Sequence, residues 1–410
     1  MPMKPNRFAM RLAIVGVAIA VFPMMPAAQP GSRHVVMISI DGLKPATYTR
    51  PGPSKLPTLR MLAQNGAYAE GVVGVLPTVT YPSHTTMITG VPPAIHGIYN
   101  NRILDPDDTS SGAWYWYARD IKVPTLYGVV KRLGLSTAAV SWPVTVDAEI
   151  DYLVPEFTDV TQHPQWLDLL RALSRPRLLL DTFETAARPM AWPPSDTDRT
   201  ELAAWIIRTY RPHLILLHIF DTDSAEHEYG PDTPQALAAI EKADAHVNKI
   251  VEAITEAGLR DRTDIVIVSD HGFLGIEQQL QLNFAFKQAG LIEVNEAGKL
   301  SRWEAYFYAA GGSGFVLLRD PGDIVVRDRV ATLLKEILTD PENGVLAVWN
   351  QDDLRRLGGG PACIIRRRYA RRVLHGRRAR CIDQEDRRAG RTRLRSRQAG
   401  AARRAHHVRT

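Results

Sequence analysis

Four short runs of apolar and β-branched residues stand out along the chain: Val35 to Ile40, Ser136 to Ser141, His213 to Phe220 and Asp264 to Ser269. None alternates cleanly between apolar and polar positions. Such runs predict strands covered on both faces, as in a mainly parallel sheet packed between helices. Between them lie helical patterns: Leu56 to Gln64 ending at Gly66, Val123 to Leu133 ending at Gly134, Glu201 to Tyr210, and Pro234 to Ala257 ending at Gly258. Strand alternating with helix predicts an α/β fold, a doubly wound, mainly parallel sheet with helices on both faces. The stretch 155–198 carries Trp166, Trp192 and Pro193-Pro194 and breaks this rhythm. It reads as an insertion near the crevice mouth, or equally as a packed surface excursion.

The two ends differ from the body. Lys4, Arg7 and Arg11 precede an apolar run from Leu12 to Phe22 and a small-residue exit at Pro26-Ala27-Ala28, which predicts a signal peptide over 1–28 and an exported protein, periplasmic or secreted. The run is shorter than the roughly 20 apolar residues of a membrane span, so no stable span is expected after cleavage. Of the 410 residues, 32–360 are expected to form one catalytic domain. The formal net charge of +6 averages two unlike parts: residues 361–410 hold 17 Arg and three acids, a balance of +14, and the rest of the chain stands at −8. An acidic body argues against specific nucleic-acid binding by it. Both cysteines, Cys363 and Cys381, lie in the basic tail, so a metal bound by the body must use carboxylates and imidazoles.

Acids and histidines follow three of the four runs at once: Asp41-Gly42, Asp221-Thr-Asp223 and Asp270-His271-Gly272. In open α/β sheets the carboxyl ends of strands line the ligand crevice, which lets these distant clusters converge. Asp223 and His227 are four residues apart and share a helical face, where an oxygen and a nitrogen could reach one zinc about 2 Å away. Each cluster alone is a weak signal, since Asp270 also suits a helix cap.

Taken in order, the segments resemble the nucleotide pyrophosphatase/phosphodiesterases of the alkaline phosphatase superfamily. They are Ile40-Asp-Gly42, Val79-Thr-Tyr-Pro-Ser-His84, Thr89-Gly90 with His96-Gly97, Asp223-Ser-Ala-Glu-His-Glu-Tyr-Gly-Pro231, and Ser269-Asp-His-Gly272. The resemblance covers Val35 to Phe273 and implies an alkaline phosphatase-like fold and two zinc ions. It implies that Asp41, Asp270 and His271 hold one zinc, that Asp223 and His227 give two ligands to the other, and that Thr80 sits between them as metal ligand and nucleophile. A free Thr hydroxyl is a poor nucleophile at neutral pH, and metal coordination is one way to activate it. The implied reaction is cleavage of a phosphodiester or pyrophosphate bond in a small nucleotide-like substrate through a phospho-threonine intermediate.

The resemblance also assigns Asn101 to a non-bridging phosphate oxygen, with Asn100 as competitor; alone, either would read as a turn Asn. His84 and His96 are expected to support loops, His218 to be a buried, satisfied histidine, and Asp221 to be a partner of the site or a solvent-facing acid. Trp114-Tyr-Trp-Tyr117 reads as core more readily than as a base-stacking platform. Arg102, beside Asn101, keeps open a phosphomonoesterase or phosphonate hydrolase. An inactive binding protein with a basic tail is the reading from another class. A third ligand for the second zinc is expected in a C-terminal His-Gly, for which His375-Gly376 is a weak candidate. The abrupt change of charge, cysteine content and patterning after Gly360 suggests a frameshift, with an evolved basic tail as the alternative.

Overall fold

The computed structural model describes residues 32–109, 113–157, 166–191 and 193–360, together with the backbone of Cys363–Arg367 and Val408–Arg409. The expected signal peptide, most of the Arg-rich tail with His375, and Trp192 lie outside the described residues. All elements below belong to the compact unit Arg33–Thr410.

The four runs are strands: β1 (His34–Ile40), β2 (Thr137–Val140), β4 (Leu214–Ile219) and β5 (Thr263–Val268), with a short β3 (Tyr152–Val154) at one edge. They lie in the order β5-β1-β4-β2-β3, all parallel, with Ile38 facing both Leu217 and Ile267 in register. Side chains alternate between two cores. Val36, Ile38, Ile40, Ile215, Leu217 and Ile219 pack against helices Pro57–Asn65, Asp196–Tyr210 and Pro234–Glu256. Leu214, Leu216 and Ala139 face the other way, towards Ile88 of helix Thr80–Thr89 and Tyr127 of helix Leu126–Arg132. Every residue of β2 and β4 is buried, the requirement of a sheet covered on both faces. The chain therefore has the expected doubly wound architecture.

Helix Asp196–Tyr210 starts earlier than its apolar pattern suggested, because Ser195 and Asp198 form a capping box that satisfies the first orphan N–H groups. Within the stretch 155–198, helices Trp166–Leu173 and Leu179–Ala186 send Leu170, Leu179, Leu180 and Phe183 into the same core as β1.

A second layer follows β5. The hairpin β6 (Ile292–Val294) and β7 (Leu300–Trp303) adjoins an antiparallel sheet of β8 (Ala305–Ala310), β9 (Ser313–Leu318) and β10 (Val345–Trp349), with β11 (Cys363–Arg367) between β9 and β10. Helix Ile324–Thr339 packs Val326, Val330 and Leu334 onto the core of this layer. A last strand, β12 (Val408–Arg409), runs antiparallel along β5. Among the described residues, no helix is long and apolar enough to cross a membrane.

Candidate metal centre and nucleophile

β1 lies between β5 and β4, so the residues that leave the carboxyl ends of these three strands meet. Asp41 follows β1 directly and is 3% exposed; Asp270 stands just beyond β5 and is 4% exposed. The turn needs Gly42: its φ is +74°, and an added Cβ would stand 2.9 Å from Glu226 Oε2 and from the Phe273 ring. Its N–H donates to Asp270 Oδ1 at 3.2 Å, which ties the first and last clusters together.

After β4 the chain enters helix Asp221–Tyr229. Asp196 caps it, accepting from Phe220 N at 3.0 Å and Asp221 N at 2.7 Å, and Arg199 pairs with Asp196 at 2.9 Å. The cap anchors the start of the helix, and the helical repeat sets Asp223 and His227 one turn apart, with His227 Nε2 3.4 Å from Asp223 Oδ1. His227 is largely exposed and packs edge-on to Phe273.

His271 stands at the centre of the cluster. Its Nε2 is 3.3 Å from Asp41 Oδ1, 3.5 Å from Asp270 Oδ2 and 3.9 Å from Asp223 Oδ1. Ligand atoms of Asp41, Asp223 and His271 all lie within 4.8 Å of one another, an arrangement that could hold a metal ion. Asp41 Oδ1 and Asp270 Oδ2 are buried without a hydrogen bond. Buried carboxylate oxygens are costly to leave unpaired, and a cation among these oxygens and imidazoles removes that cost. The acids feel one another. Burial, then the charge of Asp270, pushes the Asp41 carboxyl well above its ordinary range. Burial acts upward on Asp270 too, but neighbouring His271, His84 and His218 hold it lower.

Thr80 opens helix Thr80–Thr89 and is half-buried. Val79, before it, has no side chain able to cap the helix. Asn101 supplies the missing acceptor from a distant loop: its Oδ1 takes the N–H of Tyr81 at 2.9 Å. The carboxamide is thereby turned so that Nδ2 is the group left to donate. Asn100 is buried and turned inwards, accepting the N–H of Asn101 at 2.9 Å. Thr78 is exposed and donates to the Val75 carbonyl.

His96 supports its loop as expected, whereas His84 lies within helix Thr80–Thr89. His84 Nδ1 donates to the Thr80 carbonyl at 2.8 Å and stands 3.8 Å from Asp270 Oδ2, linking helix Thr80–Thr89 to the acid cluster. His96 Nδ1 accepts the N–H of Ile98 at 3.1 Å, and its Nε2 meets Thr86 Oγ1 at 3.0 Å. Asp221 is half-buried, and its backbone N–H is held by Asp196. Trp114, Tyr115 and Trp116 join a small core around Tyr81, with Trp114 edge-on to it at 5.3 Å. Arg102 is exposed, its guanidinium 5.5 Å from the Trp114 ring centre.

Two neighbours of the site went unrecognised in the sequence. His218 is buried as expected, yet its partners are Asp41 and Glu156, the latter just past β3. The signal available was position: each lies at or beyond a strand's carboxyl end, where a buried ionisable residue is rarely mere filling.

Comparison with known proteins bears on the family and the fold. Human ectonucleotide pyrophosphatase/phosphodiesterase family member 1 is 25% identical over 250 residues, 58% of this chain and 23% of the relative. The venom phosphodiesterase CdcPDE of Crotalus durissus collilineatus is 24% identical over 257 residues, 58% of this chain and 26% of the relative. The chain thus aligns with about a quarter of the length of these relatives. Among solved structures, an inactive variant of murine ectonucleotide pyrophosphatase/phosphodiesterase 5 in complex with AMP superposes with a TM-score of 0.56 at 18% identity, covering 82% of this chain and 80% of that one. A family model described as type I phosphodiesterase/nucleotide pyrophosphatase matches residues 35–361, which include Asp41, Thr80, Asp223 and His271, and the chain belongs to that family.

Proposed function

We propose that this protein hydrolyses phosphodiester or pyrophosphate bonds of small nucleotide substrates, with Thr80 as nucleophile and two zinc ions as cofactors. The observation that carries the reading is the meeting of Asp41, Asp223 and His271 at three adjacent strand ends, with buried carboxylate oxygens left unpaired. A donor set of carboxylate oxygens and imidazole nitrogens suits zinc. Asp41, Asp270, His271 and Thr80 would hold one ion, and Asp223 with His227 the other. When bound, such a pair would supply Lewis acidity for an in-line displacement at phosphorus.

The residues of the chain do the rest. The Thr80 oxygen attacks phosphorus while the bond to the leaving oxygen breaks on the opposite side, and the hydroxyl proton passes through solvent to that departing oxygen. Water then cleaves the phospho-threonine ester and regenerates the hydroxyl. Asn101 donates through Nδ2 to a non-bridging oxygen as its charge grows. The start of helix Thr80–Thr89 adds the positive end of its dipole to the same phosphate.

A nucleotide substrate is supported by the relatives' names and by the AMP complex of the murine protein. A phosphomonoesterase is the second reading, because exposed Arg102 offers a cation next to Asn101. Initial rates on p-nitrophenyl thymidine monophosphate and on p-nitrophenyl phosphate separate the two. The diester is expected to be preferred, and a strong preference for the monoester overturns the first reading. We also infer export, with removal of residues 1–28, which N-terminal sequencing of the mature protein checks.

A further inference from the structure

The imidazole of His218 is held between two carboxylates. Its Nε2 lies 3.1 Å from Asp41 Oδ2, and its Nδ1 lies 2.8 Å from Glu156 Oε2 and 3.1 Å from the Ser141 carbonyl. All three side chains are withdrawn from water, His218 at 1% exposure, Asp41 at 3% and Glu156 at 7%. The rings of His84 and Phe220 pack against the imidazole at 4.3 and 5.3 Å. The Ser141 carbonyl oxygen only accepts, so Nδ1 presents its N–H on that side and Nε2 is the ring atom that meets Asp41.

One detail gives the arrangement a purpose. Asp41 Oδ2 is taken by His218, whereas Asp41 Oδ1 has no hydrogen bond and points at the metal cluster, 3.3 Å from His271 Nε2. We propose that His218 and Glu156 are positioning residues for the metal centre: His218 holds one oxygen of Asp41 so that the other alone faces the metal, and Glu156 holds His218. The proposal rests on the reading of Asp41 as a metal ligand. A buried carboxylate without the His218 contact would have two equivalent oxygens and a free χ2, so orienting it would fall to the metal alone. Partners behind a metal ligand orient it in this way, and their loss typically lowers metal affinity roughly 10–100-fold. Glu156 lies two residues past the end of β3, so the opening of the stretch 155–198 helps to build the metal centre.

The test is titration of the full-length, metal-free protein with zinc against a chromophoric chelator, for wild type and for D41N, H218A, H218Q, E156Q and the double variant D41N/H218A. H218A is expected to weaken the tighter zinc site roughly 10–100-fold. H218Q, whose amide Nε2–H can still face Asp41, is expected to recover most of that loss. E156Q is expected to lose less than H218A, and H218A to add little once Asp41 has been changed. Recovery by H218Q and the missing increment in the double variant are readouts that a purely space-filling role would not produce. H218A at wild-type affinity, with D41N having lost the zinc, overturns the positioning role alone. H218Q no better than H218A does the same. D41N at wild-type affinity overturns the assignment of Asp41 on which both readings stand.

Discussion

Replacing Asn101 separates two jobs that one carboxamide is proposed to perform. Its Oδ1 accepts the Tyr81 N–H at 2.9 Å and so caps helix Thr80–Thr89, while Nδ2 is left for the proposed phosphate contact. Asn101→Ala removes both. Loss of one preorganised donor is worth about 2.7–4 kcal/mol in the transition state, roughly 10²–10³ in kcat. Loss of the cap costs about 1 kcal/mol of stability. Asn101→Asp keeps an acceptor for Tyr81 N, and its negative charge suits a helix N-terminus. It replaces the donor, however, by an oxygen that repels the substrate phosphate. Thermal stability should therefore rank Asp at or above Asn, with Ala lowest, whereas kcat should fall steeply in both variants and no less in Asp than in Ala. Initial rates on p-nitrophenyl thymidine monophosphate with excess zinc, alongside thermal melts, measure the two quantities. An Asn101→Asp enzyme that turns over within about threefold of wild type would refute the donor role, since that is far less than a lost oxyanion donor costs. Loss of activity in Asn100→Ala would then redirect the assignment to its neighbour.

Thr80→Ala should abolish turnover with zinc content near wild type, while Thr78→Ala keeps turnover, because its hydroxyl is exposed and engaged by Val75; the reverse pattern would identify Thr78 as the nucleophile. Zinc titration should be biphasic, with the Asp223/His227 ion the weaker, since two protein ligands fall short of the three usual in catalytic zinc sites. Two equally tight ions would sink that expectation and make His375 the leading third ligand. Burial holds the His96 pKa down at about 4, against an ordinary 6.5. The unfolded state then binds more protons between these values, so His96 costs stability as pH falls from 6.5 towards 4 and has no effect above. Denaturation midpoints between pH 7 and 5 should fall less steeply in His96→Gln than in wild type, and identical slopes would contradict the buried, accepting Nδ1.

Much of the architecture was legible because its causes are local. The runs at β1, β2, β4 and β5 show no alternation, as strands covered on both faces must, and Asp41, Asp223 and Asp270 follow them at the ends where α/β crevices form. Asp223 and His227 met because the helical repeat alone brings positions four apart together. Helix Thr80–Thr89 escaped that logic. It contains Pro82 and is buried on several sides, so it has little amphipathic period, and its cap comes from Asn101 in another loop. The short strands after β5 likewise carry too few residues for a pattern. The Glu156–His218–Asp41 chain was beyond local reading for a different reason. His218 and Asp41 are 177 positions apart, His218 and Glu156 are 62 apart, and which strands become neighbours is decided by packing of the whole sheet. The sequence by itself determined which residue types stand at each strand end. Only the tertiary structure decided that β1 lies between β4 and β5, because strand order depends on how the helices cover both faces at once, and that order brings the acids and imidazoles to one place.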